Sequence, residues 1–219
     1  MQPGYRGAIF DLDGLLIDSE PIWGWAQTVT LCEFGGVLTE SRQRETTGLG
    51  LQAALKLWQT WFPSANLDAD KVKARLQELA LARFLDVGST KPGAARALEI
   101  CRDAGCRLAL ASSSSPHFID SVLAHLGFKD FFHALASGEQ EEHGKPHPAV
   151  FLTAARRLGL EPFECVAFED SVHGLRSAKA AGMHCIAVPE AHNRGNPAFG
   201  EVDQVLLSLE DFDPTMLIK

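Results

Sequence analysis

Short apolar runs that end in polar residues recur along the chain, and their lengths suit buried strands. The first run covers residues 8–10, lies between turn-forming residues, and stops at two acids, Asp11 and Asp13. Apolar runs of a few residues bounded by turn formers are typical of strands in a protein core. Later runs of the same kind predict strands over 107–111, 134–136, 165–168, 184–188 and 204–207.

Helices closed by glycine separate these predicted strands in the second half of the chain. Pro92, Pro116, Pro148 and Ser171 stand at predicted helix starts, and a glycine follows each predicted helix end. Proline suits the first helical turn, and glycine suits the position after the last turn. Helices that alternate with apolar strands form a parallel sheet covered on both faces. The predicted fold class is therefore α/β, with a Rossmann-like parallel sheet.

The segment between the first predicted strand and the others has only helical patterns. Ser19 and Pro21 mark its first helix start, with Ser19 as the cap. Apolar residues then recur at three- and four-residue spacing, at Leu51, Ala54, Leu55, Trp58, Trp61, Phe62, Val72, Leu76, Leu79 and Ala80. This spacing places them on one face of each helix. We therefore predict an α/β core from residues 1–17 and 90–219, and a small helical cap domain from residues 18–89.

Composition and charge narrow the class of protein. The 219 residues carry a formal net charge of −8, which disfavours nucleic acid as a partner because phosphate backbones attract basic surfaces. No apolar stretch reaches membrane-spanning length, and the first strand begins too early to leave room for a signal peptide. The five cysteines form no CxxC pair, which indicates a reducing compartment. We expect a cytoplasmic protein without a membrane partner.

Chemically reactive residues follow the predicted strands. They are Asp11 and Asp13 after the first strand, Ser112 after the second, Lys145 before the helix at Pro148, and Glu169 and Asp170 after the fourth. Ligands of open α/β sheets bind outside the carboxyl ends of the strands, where these residues would meet. Paired carboxylates require a cation or a shared proton. Carboxylates, one hydroxyl group and one lysine suit phosphoryl transfer with Mg²⁺, whose ligands are oxygens.

This chemistry suggests a role for each residue. Asp11, Asp170 and the backbone carbonyl of Asp13 can supply the protein ligands of Mg²⁺, which usually keeps several waters. Ser112 and nearby backbone N–H groups can hold phosphate oxygens, and Lys145 can neutralise the transferring group. Asp11 can attack phosphorus, while Asp13 protonates the leaving alkoxide and later takes a proton from water.

Four segments, DLDGLLIDSEP, LALASSS, GKPHPAVF and FEDSVHG, resemble the four motifs of the haloacid dehalogenase-like superfamily. The chain is most similar to the β-phosphoglucomutase-like branch, and there to bacterial hexose and hexitol phosphatases. The resemblance implies Asp11 as the nucleophile and Asp13 as the general acid and base, with Ser112 and Lys145 holding phosphate. It implies Asp170 as a metal ligand, and Glu169 either orients Lys145 or binds metal-bound water.

The resemblance also implies which residues contact the substrate. They are Glu20, Trp23, Thr47 and Gly48 in the predicted cap, and Ser113 in the core. Trp23 is equally explained as a core aromatic of the first cap helix. An acidic residue at the position of Glu20 is more often a charge at a helix N-terminus than a ligand. The expected partner is a small phosphorylated metabolite, a hexose or hexitol phosphate, bound by a monomer or a weak homo-oligomer.

Two other activities share much of this set of residues. Mutases of the branch carry a histidine shortly after the first motif and a basic residue near Gly48, where this chain has Trp23 and Leu51. The lack of those cations, which would hold a second phosphate, favours hydrolysis. A phospho-acceptor signalling domain has no need of a cap, and none of Asp13, since it keeps its phosphate. We therefore expect a Mg²⁺-dependent phosphatase that works through an aspartyl phosphate.

Overall fold

The computed structural model describes residues 4–46 and 51–218, and a single six-stranded sheet organises it. The strands are β1 (Gly7–Phe10), β2 (Arg107–Ser112), β3 (Ala134–Ser137), β4 (Cys165–Glu169), β5 (His184–Ala187) and β6 (Gln204–Val205). All neighbouring strands pair in parallel, in the order β3-β2-β1-β4-β5-β6. The prediction of an α/β fold with a parallel sheet is confirmed.

The chain divides into two compact units. The smaller unit, Ser19–Gly88, contains α1 (Glu20–Glu33), α2 (Glu40–Thr46), α3 (Leu51–Trp61) and α4 (Ala69–Val87). The larger unit, Met1–Asp18 with Ser89–Lys219, contains the sheet and α5 (Ala94–Asp103), α6 (Pro116–Leu126), α7 (Ala149–Leu158) and α8 (Val172–Ala180). Single 3₁₀ turns cover Lys129–Phe131, Gly138–Gln140, Pro162–Glu164, Ala191–Asn193, Pro197–Glu201, Leu209–Asp211 and Pro214–Leu217.

The ends of the strands differ from the predicted ends by one or two residues. β2, β3 and β4 each continue one residue into a polar segment, where Ser112 pairs with Ser137 and Glu169 pairs with Ala187. Backbone pairing does not depend on side-chain polarity, so an apolar run can end before its strand does. β5 and β6 are shorter than predicted, and β6 has two residues, since an edge strand has a pairing partner on one side only.

Both faces of the sheet are buried. On one face, Ile9 packs in a cluster with Phe151 of α7 and Leu175 of α8. On the other face, the rings of Phe10 and Phe168 stack with their centroids 4.4 Å apart. Because successive side chains of a strand point to opposite faces, a strand buried on both faces has no place for an unpaired charge. Charged groups therefore lie at the strand ends or beyond them.

The order of the strands creates a crevice beside β1. After β1 the chain adds β2 and β3 on one side, and then crosses to add β4, β5 and β6 on the other side. The loops that leave β1 and β4 therefore run apart at their carboxyl ends. Such a switch point is the usual ligand site of an open α/β sheet.

The smaller unit has a core of its own. Leu31, Leu55 and Trp58 lie in one buried cluster, and α4 buries Val72, Leu76, Ala80 and Phe84 at four-residue steps. α1 begins at Glu20 with Ser19 at its N-cap position, as predicted, but Ser19 does not cap the helix through its side chain. The backbone of Ser19 is already helical, with φ −99° and ψ −12°, and its side chain makes no capping hydrogen bond. No helix within residues 4–46 and 51–218 combines the length and apolarity that a membrane crossing requires.

Candidate active site

Asp11 lies at the switch point, directly after β1. Its backbone N–H donates a hydrogen bond to the carbonyl oxygen of Phe168 in β4, at 3.0 Å, and its side chain is 8% exposed. Gly14 follows with a φ of +82°, and a Cβ atom there would lie 2.3 Å from Oδ2 of Asp170. Only glycine combines this φ with this close approach. The loop after β1 is thus built to bring the two acids together.

Lys145 connects three groups at this edge of the sheet. Its Nζ lies 2.6 Å from Oδ1 of Asp11, 2.5 Å from Oε1 of Glu169 and 2.9 Å from the carbonyl oxygen of Ala111. An ammonium group has three donors, so each of them has an acceptor here. Nζ also lies 5.0 Å from the ring centroid of Phe151 in α7. Lys145 is therefore held in one position beside Asp11.

Glu169 is fully buried at the end of β4, and both of its carboxylate oxygens accept hydrogen bonds. Oε1 binds Lys145, while Oε2 accepts from the N–H of Asp170 and from the N–H and hydroxyl of Ser171, at 3.1 to 3.2 Å. A Cβ atom on Gly174 of α8 would lie 1.9 Å from this carboxyl group, so a glycine is required there. Of the two predicted roles for Glu169, these contacts favour the orientation of Lys145.

Three carboxylates converge at this point. Asp11, Glu169 and Asp170 each offer an oxygen, and these atoms lie within 4.8 Å of one another. Burial raises the pKa of Asp11 to about 8; Glu169 and Asp13 act in the same direction, whereas Lys145 lowers it. Burial also raises the pKa of Asp170, and the charges of Glu169 and Asp11 add to this effect. The negative charge exceeds what Lys145 compensates, and a buried set of oxygens with this excess fits Mg²⁺.

The pKa of Lys145 is displaced by the same charges. Burial lowers the pKa of Lys145, and the carboxylates of Asp11 and Glu169 more than offset that effect. The net pKa lies above the usual range of lysine. Lys145 is therefore a permanent cation next to Asp11, as the stabilisation of a transferring phosphoryl group requires.

Asp13 faces a different set of partners. Its Oδ2 accepts a hydrogen bond from the hydroxyl of Ser114 at 2.6 Å and a longer one from Ser112 at 3.4 Å. The N–H of Ser114 donates to Oγ of Ser112, and Ser137 donates to the carbonyl oxygen of Ser114. The Asp13 side chain does not belong to the group of three carboxylates, so its predicted metal contact, through the backbone carbonyl, stays a prediction.

Ser114, which the motifs did not single out, contacts the predicted acid and base Asp13. Ser112 and Ser114 are buried and share Asp13, whereas Ser113 is exposed and its contact with substrate stays a prediction. In an extended backbone, residues two apart point the same way. This alternation within the run of four serines is the signal that distinguishes Ser114 from Ser113.

The predicted cap residues are not all described. Glu20 and Trp23 are half-buried in the first turn of α1, three residues apart and thus on neighbouring positions of one helix face. Thr47 and Gly48 lie outside the described residues. Leu51, at the start of α3, packs against the core of the smaller unit.

Comparisons with known proteins agree with the resemblance. A model of the haloacid dehalogenase-like hydrolase family matches residues 5–182. Hexitol phosphatase B of Escherichia coli is 37% identical over 205 residues, which cover 93% of this chain and 92% of that protein. Phosphorylated carbohydrates phosphatase of Thermotoga maritima is 30% identical over 181 residues, covering 83% of each. The crystal structure of CbbY from Rhodobacter sphaeroides in complex with phosphate is 26% identical, with a TM-score of 0.81 over 94% of this chain and 96% of that one.

Proposed function

Because the chain belongs to the haloacid dehalogenase-like hydrolase family, as its motifs predicted, we propose that it hydrolyses hexose or hexitol phosphates through a phosphorylated Asp11. The observation that carries this proposal is the buried pair of Asp11 and Lys145, 2.6 Å apart, beside Asp170 at the switch point of the sheet. The names of the two relatives, both phosphatases, support a phosphoric monoester hydrolase and a phosphorylated sugar or polyol as its substrate.

We assign the metal site to three residues. The carboxylates of Asp11 and Asp170 and the backbone carbonyl of Asp13 would hold Mg²⁺. When bound, Mg²⁺ supplies positive charge that offsets the carboxylates and the phosphate oxygens. We assign to Glu169 the role of holding Lys145 in position, because its oxygens already accept hydrogen bonds from Lys145 and from the segment 170–171.

The first step transfers the phosphoryl group to the protein. Lys145 binds one oxygen of Asp11, and an Asp11 oxygen forms a bond to phosphorus while the bond from phosphorus to the substrate oxygen breaks. Asp13 in its protonated form gives its proton to the leaving oxygen, which departs as an alcohol. Ser112 at the end of β2 and backbone N–H groups of the segment between β2 and α6 hold the phosphate oxygens.

The second step releases phosphate. Asp13, now a carboxylate, takes a proton from water as the water oxygen attacks phosphorus. The bond between phosphorus and Asp11 breaks, which returns Asp11 as a carboxylate and yields inorganic phosphate. Asp13 ends protonated, ready for the next substrate. One residue therefore acts as acid and then as base, as the predicted roles require.

We assign substrate selection to the smaller unit, Ser19–Gly88, as a cap domain. Its predicted contacts are Glu20, Trp23, Thr47 and Gly48. Trp23 keeps part of its surface exposed, which an aromatic side chain that contacts a sugar requires. A cap that closes over the substrate excludes water while the phosphoryl group is transferred.

The cytoplasm remains the proposed location. None of the five cysteines, all of which lie within the described ranges, forms a disulfide bond, and Cys101, Cys106, Cys165 and Cys185 are buried. A reducing compartment keeps cysteine thiols in this state.

Replacing Ser114 with alanine is expected to lower kcat by about tenfold, since a hydrogen bond to a charged group contributes about 1.5–3 kcal/mol. The variant loses the 2.6 Å hydrogen bond that holds the carboxylate of Asp13. The measurement is steady-state phosphate release, with a thermal unfolding scan to check the fold. Ser113→Ala removes an exposed neighbouring hydroxyl and is the control. An unchanged kcat in Ser114→Ala would show that Asp13 needs no such support.

A substrate panel tests the proposed function. Phosphate release is measured from sugar, sugar-alcohol, nucleotide and other metabolite phosphates, with Mg²⁺ and with EDTA. We expect release that depends on Mg²⁺ and is fastest for hexose or hexitol phosphates. A panel without any release would refute the phosphatase, and a phosphorylated form that lasts for minutes would favour a phospho-acceptor domain.

The panel also includes β-glucose 1-phosphate with a bisphosphate primer, which distinguishes hydrolysis from the mutase reaction. We expect free phosphate as the product. Conversion to glucose 6-phosphate with little free phosphate would assign the chain to the mutases instead. It would also show that a mutase can work with Trp23 and Leu51 at these two positions.

A further inference from the structure

A fourth acidic residue, Glu190, lies beside the proposed metal site, in the loop that follows β5. Its side chain is only 9% exposed. A Cβ atom on Gly14 would lie 2.3 Å from Oδ2 of Asp170 and 3.3 Å from Oε1 of Glu190. The two carboxylate oxygens are therefore within about 5.6 Å of each other, the sum of these distances. The charge of Glu190 adds to burial in raising the pKa of Asp170.

Lys91 holds Glu190 in this place. Its Nζ lies 3.2 Å from Oε1 of Glu190 and 3.3 Å from Oδ1 of Asp18. The backbone of the lysine is itself anchored, because its N–H donates to the carbonyl oxygen of Leu16 while the N–H of Asp18 donates to Ser89. Lys91 thus joins the loop after β5 to the segment that continues from the first motif.

These contacts do not compensate the charge of the cluster. Lys91 is shared between Asp18 and Glu190, and His192 approaches the other oxygen of Glu190 at 3.6 Å from a half-exposed position. Burial of a carboxylate next to other carboxylates is unfavourable unless a cation offsets it. If Glu190 only formed an ion pair with Lys91, its carboxylate would not need to lie beside Asp170.

We propose that Glu190, held by Lys91, is a positioning residue of the metal site that strengthens the binding of Mg²⁺. It adds a negative charge and a hydrogen-bond acceptor at the edge of the site, where Mg²⁺ usually keeps bound waters. Groups outside the direct ligands commonly change metal affinity by 10–100-fold. The inference rests on the proposed function, because it concerns the same Mg²⁺ site.

The test measures the binding of Mg²⁺ alone by titration calorimetry, without any phosphate ester. Glu190→Gln is expected to raise the Kd by about tenfold. Glu164→Gln is the matched control, since it removes the same charge from an ion pair with Arg6 at the opposite end of the sheet. An unchanged Kd in Glu190→Gln, or an equal rise in Glu164→Gln, would overturn the proposal.

Lys91→Met tests whether Lys91 acts by holding Glu190 in place or only through its own positive charge. Removal of a positive charge by itself would tighten the binding of Mg²⁺. If Lys91 holds Glu190, the variant binds Mg²⁺ more weakly than the wild type. Unchanged or tighter binding would overturn the assigned role of Lys91. Thermal unfolding in EDTA verifies that each variant is folded.

A third variant keeps this proposal distinct from the proposed function. Asp170→Asn is expected to remove Mg²⁺ binding, as the loss of a direct ligand requires. If the wild type binds no Mg²⁺, the proposed function fails at its metal site. If the wild type binds Mg²⁺, Asp170→Asn does not, and Glu190→Gln matches the wild type, only the role of Glu190 is refuted.

Discussion

Asp11→Asn is expected to abolish phosphate release, with a fall in kcat of about 10⁶-fold, as the loss of a nucleophile causes in other hydrolases. An amide cannot form the phosphorylated intermediate, while its size preserves the packing of this 8% exposed side chain. Burial raises the pKa of Asp11 to about 8, so the folded state disfavours its charged form. The fold is retained because the neutral amide removes that unfavourable charge. The measurement is phosphate release at saturating substrate, with circular dichroism as the check of the fold.

The control for this variant is Asp120→Asn. Asp120 pairs with Lys129 at 3.0 Å, and both side chains are more than half exposed. The control removes the same charge and keeps wild-type activity. Mass spectrometry after an acid quench is expected to find phosphate on Asp11 in the wild type and on no residue of Asp11→Asn. Release at a wild-type rate from Asp11→Asn would refute the covalent mechanism.

Lys145→Ala is expected to lower kcat by about 10²-fold, since one lost charge-stabilising donor costs about 3 kcal/mol in the transition state. Lys145 contacts Asp11 at 2.6 Å and Glu169 at 2.5 Å, so its removal also leaves two buried carboxylates without their cation. Breaking a buried ion pair from one side costs about 3–5 kcal/mol of stability. Kinetics with Mg²⁺ and urea unfolding in EDTA measure the two losses. Near-normal turnover would contradict the role of Lys145.

The free energy of unfolding of Lys145→Ala is expected to fall as pH rises. The folded protein raises the pKa of Asp11 from 3.8 to about 8, and Lys145 is the group that lowers it. The folded state therefore favours the protonated acid, and stability is lost as pH rises from about 4 to about 8. Without Lys145 this loss becomes larger and extends to higher pH. Lys129→Ala is the control, because it breaks the exposed ion pair of Lys129 with Asp120 and is expected to change the free energy of unfolding by less than about 1 kcal/mol.

Much of the candidate site could be predicted because its reactive residues lie at the carboxyl ends of the strands. A strand buried on both faces excludes charges, so Asp11 and Asp170 had to follow the apolar runs before them. Parallel strands joined by helices end at one edge of the sheet, so both acids were expected at that edge. The pairing of β1 with β4 makes them neighbours there. Lys145 was predicted on the same argument, from its place before the helix that begins at Ala149.

Other parts of the site depend on contacts that no local pattern reports. Ser114 rather than Ser113 faces Asp13, and that choice depends on how the chain turns after β2. The two oxygens of Glu169 are occupied because α8 offers no side chain at Gly174. These details require the positions of neighbouring elements in space.

The class of fold therefore follows from the sequence alone, because period and composition are local properties that repeat along the chain. The resemblance to the family rests on the four motifs and not on these patterns. The sequence also indicated which acids, serine and lysine meet, since parallel topology collects the residues after each strand. How these side chains pair depends on the packing of the whole chain. Lys91 and Glu190 are 99 residues apart, and their contact depends on the order in which β4 and β5 join β1. Long-range pairing of this kind follows from packing the whole chain, and no short segment encodes it.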